Sequence, residues 1–172
     1  MFPEGGGAMQ QMRFAWARLN GQNGHEVGRK LLKQLYREEA GENCPKIRIA
    51  PRGKPYFDNS PLHFSISHTK EHAFCALAPW PVGIDAEEKD RRIDLRLADK
   101  ILSETERIRY DAADDKRAAL MRLWVLKEAA AKLTGDGLRG FPNHTDFSPD
   151  DTQIYEIDGC YVAILEEKDH AF

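Results

Sequence analysis

Two carboxylates stand two residues apart in the run Gly83-Ile84-Asp85-Ala86-Glu87. Side chains two apart on a strand share a face, so Asp85 and Glu87 point one way while Val82, Ile84 and Ala86 point toward a core. Neighbouring carboxylates repel unless a proton or a cation intervenes. By itself the D-x-E pair reads as the solvated face of a strand. A third carboxylate, Glu128, lies in Trp124-Val125-Leu126-Lys127-Glu128-Ala129-Ala130-Ala131-Lys132. Leu120, Trp124, Glu128 and Lys132 recur every four residues and form one slowly turning stripe on a helix. Leu123 and Trp124 mark a buried side, so the Glu128 carboxylate sits at the margin of a core. Taken alone, Glu128 and Lys132 make an i,i+4 surface pair worth ~0.3–0.5 kcal/mol, and Lys127 reads as solvated.

A third group is basic and hydroxylic: Gly53-Lys54-Pro55, then Ser65-Ile66-Ser67-His68. A lysine in a turn, followed by a serine and an imidazole at a strand end, suits a phosphate group. His63, His68 and His72 do not make a zinc site: no cysteine is near, and strand spacing puts His63 and His68 on opposite faces. Three carboxylates together with several phosphate donors have the composition of a magnesium–diphosphate site. Magnesium takes one or two carboxylates and completes its octahedron with water and substrate oxygens.

The elements that must carry these groups follow from pattern and punctuation. Residues 13–19 alternate as a strand, 20–24 form a turn, and 25–40 place Val27, Leu31, Leu32, Leu35 and Tyr36 at helical spacing, with Gly41 after the end. Residues 46–50 read as a short strand before the basic turn 51–55, and 62–67 as another strand. Residues 73–78 and 82–87 flank Pro79-Trp80-Pro81, which predicts a hairpin with a stiff turn. Residues 95–102 form a short element, and Ser103-Glu104-Thr105-Glu106 is a capping-box pattern opening a helix. A long helix starts at Asp114 or Asp115 and stops at Gly135. Residues 152–157 and 160–166 form a hairpin about Asp158-Gly159. Helix and strand thus occur in each half, and the chain is expected to be α+β: a tail over 1–11, one half over 12–84 and a second over 85–172.

The whole chain sets limits on partners. Its 172 residues, 41% hydrophobic and 31% charged, can bury a core without disulfides. A net charge of −3 carries no basic excess that would recommend nucleic acid. Cys44, Cys75 and Cys160 are odd in number and far apart, so neither a disulfide framework nor a zinc knuckle is indicated. No apolar run reaches membrane-spanning length, and the first residues lack a signal-peptide pattern. A cytoplasmic protein with no membrane or nucleic-acid partner is expected.

On GKP at Gly53–Pro55, FSISH at Phe64–His68, GIDAE at Gly83–Glu87 and WVLKEAAAK at Trp124–Lys132, the chain resembles the 4′-phosphopantetheinyl transferases of the surfactin-synthetase-activating type. The match runs from about His25 to Gly140, and the pairing of GIDxE with a downstream WxxKExxxK is its specific part. The resemblance implies two similar α+β halves, related by a pseudo-twofold, with coenzyme A in the cleft between them. It implies that Asp85, Glu87 and Glu128 hold Mg²⁺ (or Mn²⁺) against the coenzyme A diphosphate. Lys132 would contact that diphosphate, and Lys54, Ser67 and His68 match positions that bind the 3′-phosphate end. The serine of an apo acyl or peptidyl carrier protein attacks the β-phosphate, and 3′,5′-ADP leaves.

A base must take the serine proton. Glu128 is the first candidate and Glu106 the second, beside its capping role. With both halves in one chain the cleft is expected to form in a monomer. The sequence departs from the family in three places: Glu88 stands where a basic residue is frequent, Val125 replaces a small hydroxyl residue, and the N-terminal half is short. That half offers no match for the early basic residues that also hold coenzyme A. Two other readings differ in chemistry: a non-catalytic binder of coenzyme A or carrier protein, and a magnesium phosphohydrolase.

Overall fold

The computed structural model describes residues 11–135 and 146–167. The expected tail lies outside them except for Gln11. In the first half a strand, β1 (Arg13–Arg18), leads through a turn to helix α1 (Gly24–Ala40). The Asn23 side chain accepts the Glu26 amide at 3.2 Å and starts α1, and Gly41 at φ 69° ends it. A short hairpin, β2 (Ile47–Ile49) with β3 (Pro55–Phe57), carries the basic turn at its tip. Strands β4 (His63–His68) and β5 (His72–Ala78) complete a sheet in the order β1-β5-β4.

The second half repeats this plan. Strand β6 (Val82–Glu88) is followed by a 3₁₀ turn at Leu95–Leu97 and two short helices, α2 (Ala98–Ile101) and α3 (Glu104–Ala112). Then come the long helix α4 (Lys116–Thr134) and the hairpin β7 (Ile154–Ile157) and β8 (Cys160–Glu166), in a sheet of order β6-β8-β7. In each half the first strand of the sheet and a closing antiparallel pair flank a long helix, and the last strand is central. The α+β class and the likeness of the halves are therefore both present in the topology.

Three apolar clusters stack the layers. Alternate residues of β5 (Ala73, Cys75, Leu77) pack with Leu32, Leu35 and Tyr36 of α1. The opposite β5 face (Phe74, Ala76, Ala78) meets Val82, Ile84 and Ala86 of β6 and Cys160, Val162 and Ile164 of β8. The far face of β8 (Tyr161, Ala163, Leu165) packs on α4. The order is helix, sheet, sheet, helix, and period two on each strand sorts the residues between layers. None of the described helices is long and apolar enough to cross a membrane.

Two expectations change. Strands β5 and β6 do not form a hairpin: β5 is central, with both edges taken by β1 and β4, whereas β6 pairs with β8 from Val82↔Glu166 to Glu88↔Cys160. The Pro79-Trp80-Pro81 segment is a crossing between sheets, anchored by the Trp80 indole N–H donating to Glu166 at 2.6 Å. The boundary expected between 84 and 85 lies inside the continuous strand β6, Val82–Glu88.

Candidate active site

The edge of β4 lies against the edge of β6, and serine hydroxyls join them. Ser65 Oγ accepts the Ile84 N–H at 3.0 Å and Ser67 Oγ accepts the Ala86 N–H at 3.2 Å. These bonds satisfy β6 amides that have no strand partner on that side, as buried amides must be. Along this seam a pocket of about 500 Å³ opens between the halves, lined by α1, the β2–β3 turn, β4, β6 and α4.

Gly83 sets how closely α4 approaches β6. A Cβ placed there would lie 2.1 Å from the Ala129 carbonyl oxygen and 2.6 Å from the Leu133 nitrogen. Helix backbone thus rests on strand backbone, which only glycine permits. Residues 129 and 133 adjoin Glu128 and Lys132, so this contact brings the α4 side chains to Asp85. Lys132 Nζ donates to Asp85 Oδ1 at 2.8 Å, and Ser67 Oγ donates to the same oxygen at 3.1 Å. The i,i+4 partner read from the sequence, Glu128, is not the one Lys132 takes.

Asp85, Glu87 and Glu128 all line the pocket. Burial first, and then the negative charge of Asp85, push the Glu128 carboxyl up to about 7; Lys132 and Arg91 oppose this more weakly. Glu87 carries an ion pair with Arg91. Among the described residues no three acidic, histidine or cysteine side chains close on a common point as a metal cage. The donor chemistry nonetheless fits a hard divalent cation: three carboxylates share one pocket. To admit an ion, Lys132 and Arg91 would have to yield on two of them.

The same pocket also carries cationic groups: Lys54 and His68 line it, with His25 and Arg29 of α1 and Arg52. Lys54 is partly buried and donates to the Leu133 carbonyl at the end of α4; burial lowers its pKa. Gly135 lies beside it at φ 78°, where a Cβ would come within 3.2 Å of the Lys54 side chain. His25 and Arg29 were missed in the sequence, although their i,i+4 spacing on the polar side of α1 could have pointed to them. Arg52 was visible only as part of a basic turn.

Ser67 lines the pocket, is 5% exposed and donates to Asp85 Oδ1 at 3.1 Å. Two further sequence readings are revised. Lys127 is not solvated: it and Glu106 are both fully buried and paired at 2.8 Å. Glu106 also accepts the Ser103 N–H at 2.9 Å and the Phe147 N–H at 3.0 Å. With its capping box formed, Glu106 is saturated beneath α4 and does not line the pocket, so it is no base for this site.

The model of the 4′-phosphopantetheinyl transferase superfamily matches residues 81–167. That span holds β6, α4 and the carboxylates they bring together, and the chain belongs to this superfamily. The chain is 36% identical over 124 residues to 4′-phosphopantetheinyl transferase gsp of Aneurinibacillus migulanus, covering 62% of this chain and 52% of that protein. It is 33% identical over 116 residues to 4′-phosphopantetheinyl transferase psf-1 of Bacillus pumilus, covering 66% and 46%. A 4′-phosphopantetheinyl transferase of Bacillus subtilis is 38% identical over 90 residues, covering 50% and 39%. The chain spans about half the length of the curated relatives it matches.

Proposed function

We propose that the protein transfers the 4′-phosphopantetheine group of coenzyme A to a serine of an apo acyl or peptidyl carrier protein. The observation that carries this is one pocket lined by three carboxylates (Asp85, Glu87, Glu128) and by several cationic or imidazole side chains (His25, Arg29, Arg52, Lys54, His68, Lys132). Such a lining suits a ligand that carries a diphosphate and a separate phosphate, as coenzyme A does. A simple phosphohydrolase would have no use for so many phosphate-type donors. The names of the relatives support the same reading.

Asp85, Glu87 and Glu128 are the residues that would hold Mg²⁺ or Mn²⁺, which when bound neutralises charge on the diphosphate oxygens. Lys132 lines the pocket beside Asp85 and would supply positive charge to those oxygens. Lys54, Arg52, Arg29, His25 and His68 receive the 3′-phosphate end. The serine hydroxyl attacks the β-phosphorus; a bond forms from serine oxygen to phosphorus, and the phosphoanhydride bond breaks to release 3′,5′-ADP. Glu128, which lines the pocket beside Asp85, is the candidate to take the serine proton. A soluble cytoplasmic monomer accords with this role.

The test is intact mass spectrometry of an apo carrier protein incubated with the protein, coenzyme A and Mg²⁺. One added phosphopantetheinyl group, lost with EDTA, and 3′,5′-ADP as co-product are expected. Coenzyme A binding without transfer to fatty-acid or peptide-synthetase carriers would favour the accessory-binder reading. Release of inorganic phosphate would favour the hydrolase.

A further inference from the structure

We propose that Arg91 is a resident counter-ion that a divalent cation must displace from Glu87, so that this residue sets how much metal the site requires. The inference rests on the metal role proposed above. Of the three pocket carboxylates, two already hold a cation of the chain itself. Lys132 donates to Asp85 at 2.8 Å, and Arg91 pairs with Glu87. Lys132 belongs to one of the stretches that carry the family resemblance. Arg91 lies outside all of them, four residues beyond Glu87.

The turn that carries Arg91 is fastened at its backbone. The Lys89 N–H donates to the Gly159 carbonyl at 2.9 Å, and the Arg91 N–H donates to the Glu88 carbonyl at 3.0 Å. Arg117 of α4 donates from one nitrogen to the carbonyls of both Lys89 and Arg91, each at 2.9 Å. The backbone of Arg91 is thus tied to the same helix that brings Glu128 and Lys132. Its side chain is differently placed: it is 51% exposed, against 17% for the Glu87 side chain it pairs with. The guanidinium therefore lies on the solvent side of the carboxylate. Water screens such a pair and keeps it weak. The side chain can rotate into solvent while β6, α4 and the turn stay where they are.

Charge sets the consequence. Carboxylates that share a pocket repel one another unless cations intervene, and Arg91 and Lys132 meet that need when no metal is bound. A divalent ion brings two positive charges where these side chains supply one each. Exchange leaves the net charge of the site unchanged, so the ion gains less than it would from bare carboxylates. The two displaced cations then differ. Lys132 lines the pocket and can turn to a phosphate oxygen, whereas Arg91 is not among the residues lining it. Arg91 therefore acts on the ion and not on the substrate, as a competitor built into the chain.

Mn²⁺ binding to the full chain without coenzyme A is the readout, followed by loss of the free-ion electron paramagnetic resonance signal. Arg91→Gln is expected to tighten Mn²⁺ binding about fivefold, the upper end for an exposed ion pair. Arg92→Gln removes the same charge from the next residue, also exposed, and should leave the affinity within about twofold of wild type. In a Glu87→Gln background, Arg91→Gln should have no further effect, because the partner is gone. A variant that merely unfolds cannot bind more tightly, so damage to the fold does not imitate the expected result. Unchanged or weaker Mn²⁺ binding by Arg91→Gln would overturn the inference and leave the metal role standing. Equal tightening by Arg92→Gln would also overturn it, since net charge alone would then account for the change. If neither the wild type nor Arg91→Gln binds Mn²⁺, the metal role itself fails and the inference falls with it.

Discussion

Gly83→Ala adds one methyl group where the helix and the strand touch. The glycine is not needed for its backbone conformation, since its φ is not positive; the cost is steric. The new Cβ would lie 2.1 Å from the Ala129 oxygen, 2.6 Å from the Leu133 nitrogen and 2.9 Å from the Leu133 Cβ. Ordinary contacts of this kind begin near 3.4 Å, so α4 must withdraw by roughly 1 Å. Two of the three obstructing atoms are helix backbone and cannot rotate away. Overpacking of a core costs about 1–3 kcal/mol, and a backbone clash belongs at the upper end. At about 2–4 °C per kcal/mol for a chain of this size, a loss of ~3 kcal/mol lowers the melting temperature by roughly 6–12 °C.

The functional consequence is separate from the loss of stability. A retreat of α4 by about 1 Å shifts Glu128 and the Lys132 that bonds Asp85 at 2.8 Å away from β6. Phosphopantetheinyl transfer should then fall by about a hundredfold even at 10 °C, where the variant remains folded, as misplacement of this size does in other active sites. The assay is transfer to an apo carrier protein beside a melting curve by circular dichroism. Wild-type melting and wild-type transfer in Gly83→Ala would refute the close approach and the positioning argument built on it.

Other consequences can be checked in the same way. Lys127→Ala leaves Glu106 buried without its counter-charge and should cost about 3–5 kcal/mol in urea denaturation, while the double variant Lys127→Met, Glu106→Gln should cost less than the two single changes added. In EDTA, the raised Glu128 pKa means that the folded state binds a proton more tightly than the unfolded chain. Its contribution to stability is full below about 4.5 and is lost as pH rises through about 7. Melting curves from pH 5 to 8 should show this slope in the wild type and not in Glu128→Gln, which should also lose transfer. Asp158, at the β7–β8 turn, bonds Arg18 at 2.6 Å and His72 at 2.8 Å across the two halves, and hydrogen bonds from Arg18 and then His72 hold its pKa at about 2. Its contribution is present above the ordinary carboxylate range and disappears as pH falls toward 2. Asp158→Asn suits the positive φ of 46° at this position, so faster amide exchange in β1 and β8 of that variant would report the lost charge alone.

Much of the site was legible in short stretches of sequence. Period two on β6 put Asp85 and Glu87 on one face, and the four-residue repeat on α4 put Glu128 and Lys132 together. Gly41, Ser103, Asp115 and Gly135 marked helix ends, because capping is settled within three or four residues. What the chain alone did not reveal is which distant groups meet. The hairpin expected at Pro79–Pro81 was a sound local pattern, but β5 had no vacant edge, and strand pairing is decided by which edges remain open. Lys127 read as solvated and Glu106 as a cap or a base, until packing buried both and made each the other's partner. The Ser67 bond to Asp85 spans 18 residues and is not visible in either local pattern. His25, Arg29 and Arg52 reach the pocket only when α1 and the β2–β3 turn dock beside β4. Sequence determined the residue types, the faces they occupy and the family they mark. Tertiary structure decided the pairing of charges, because burial and edge-to-edge contact depend on neighbours far away in the chain.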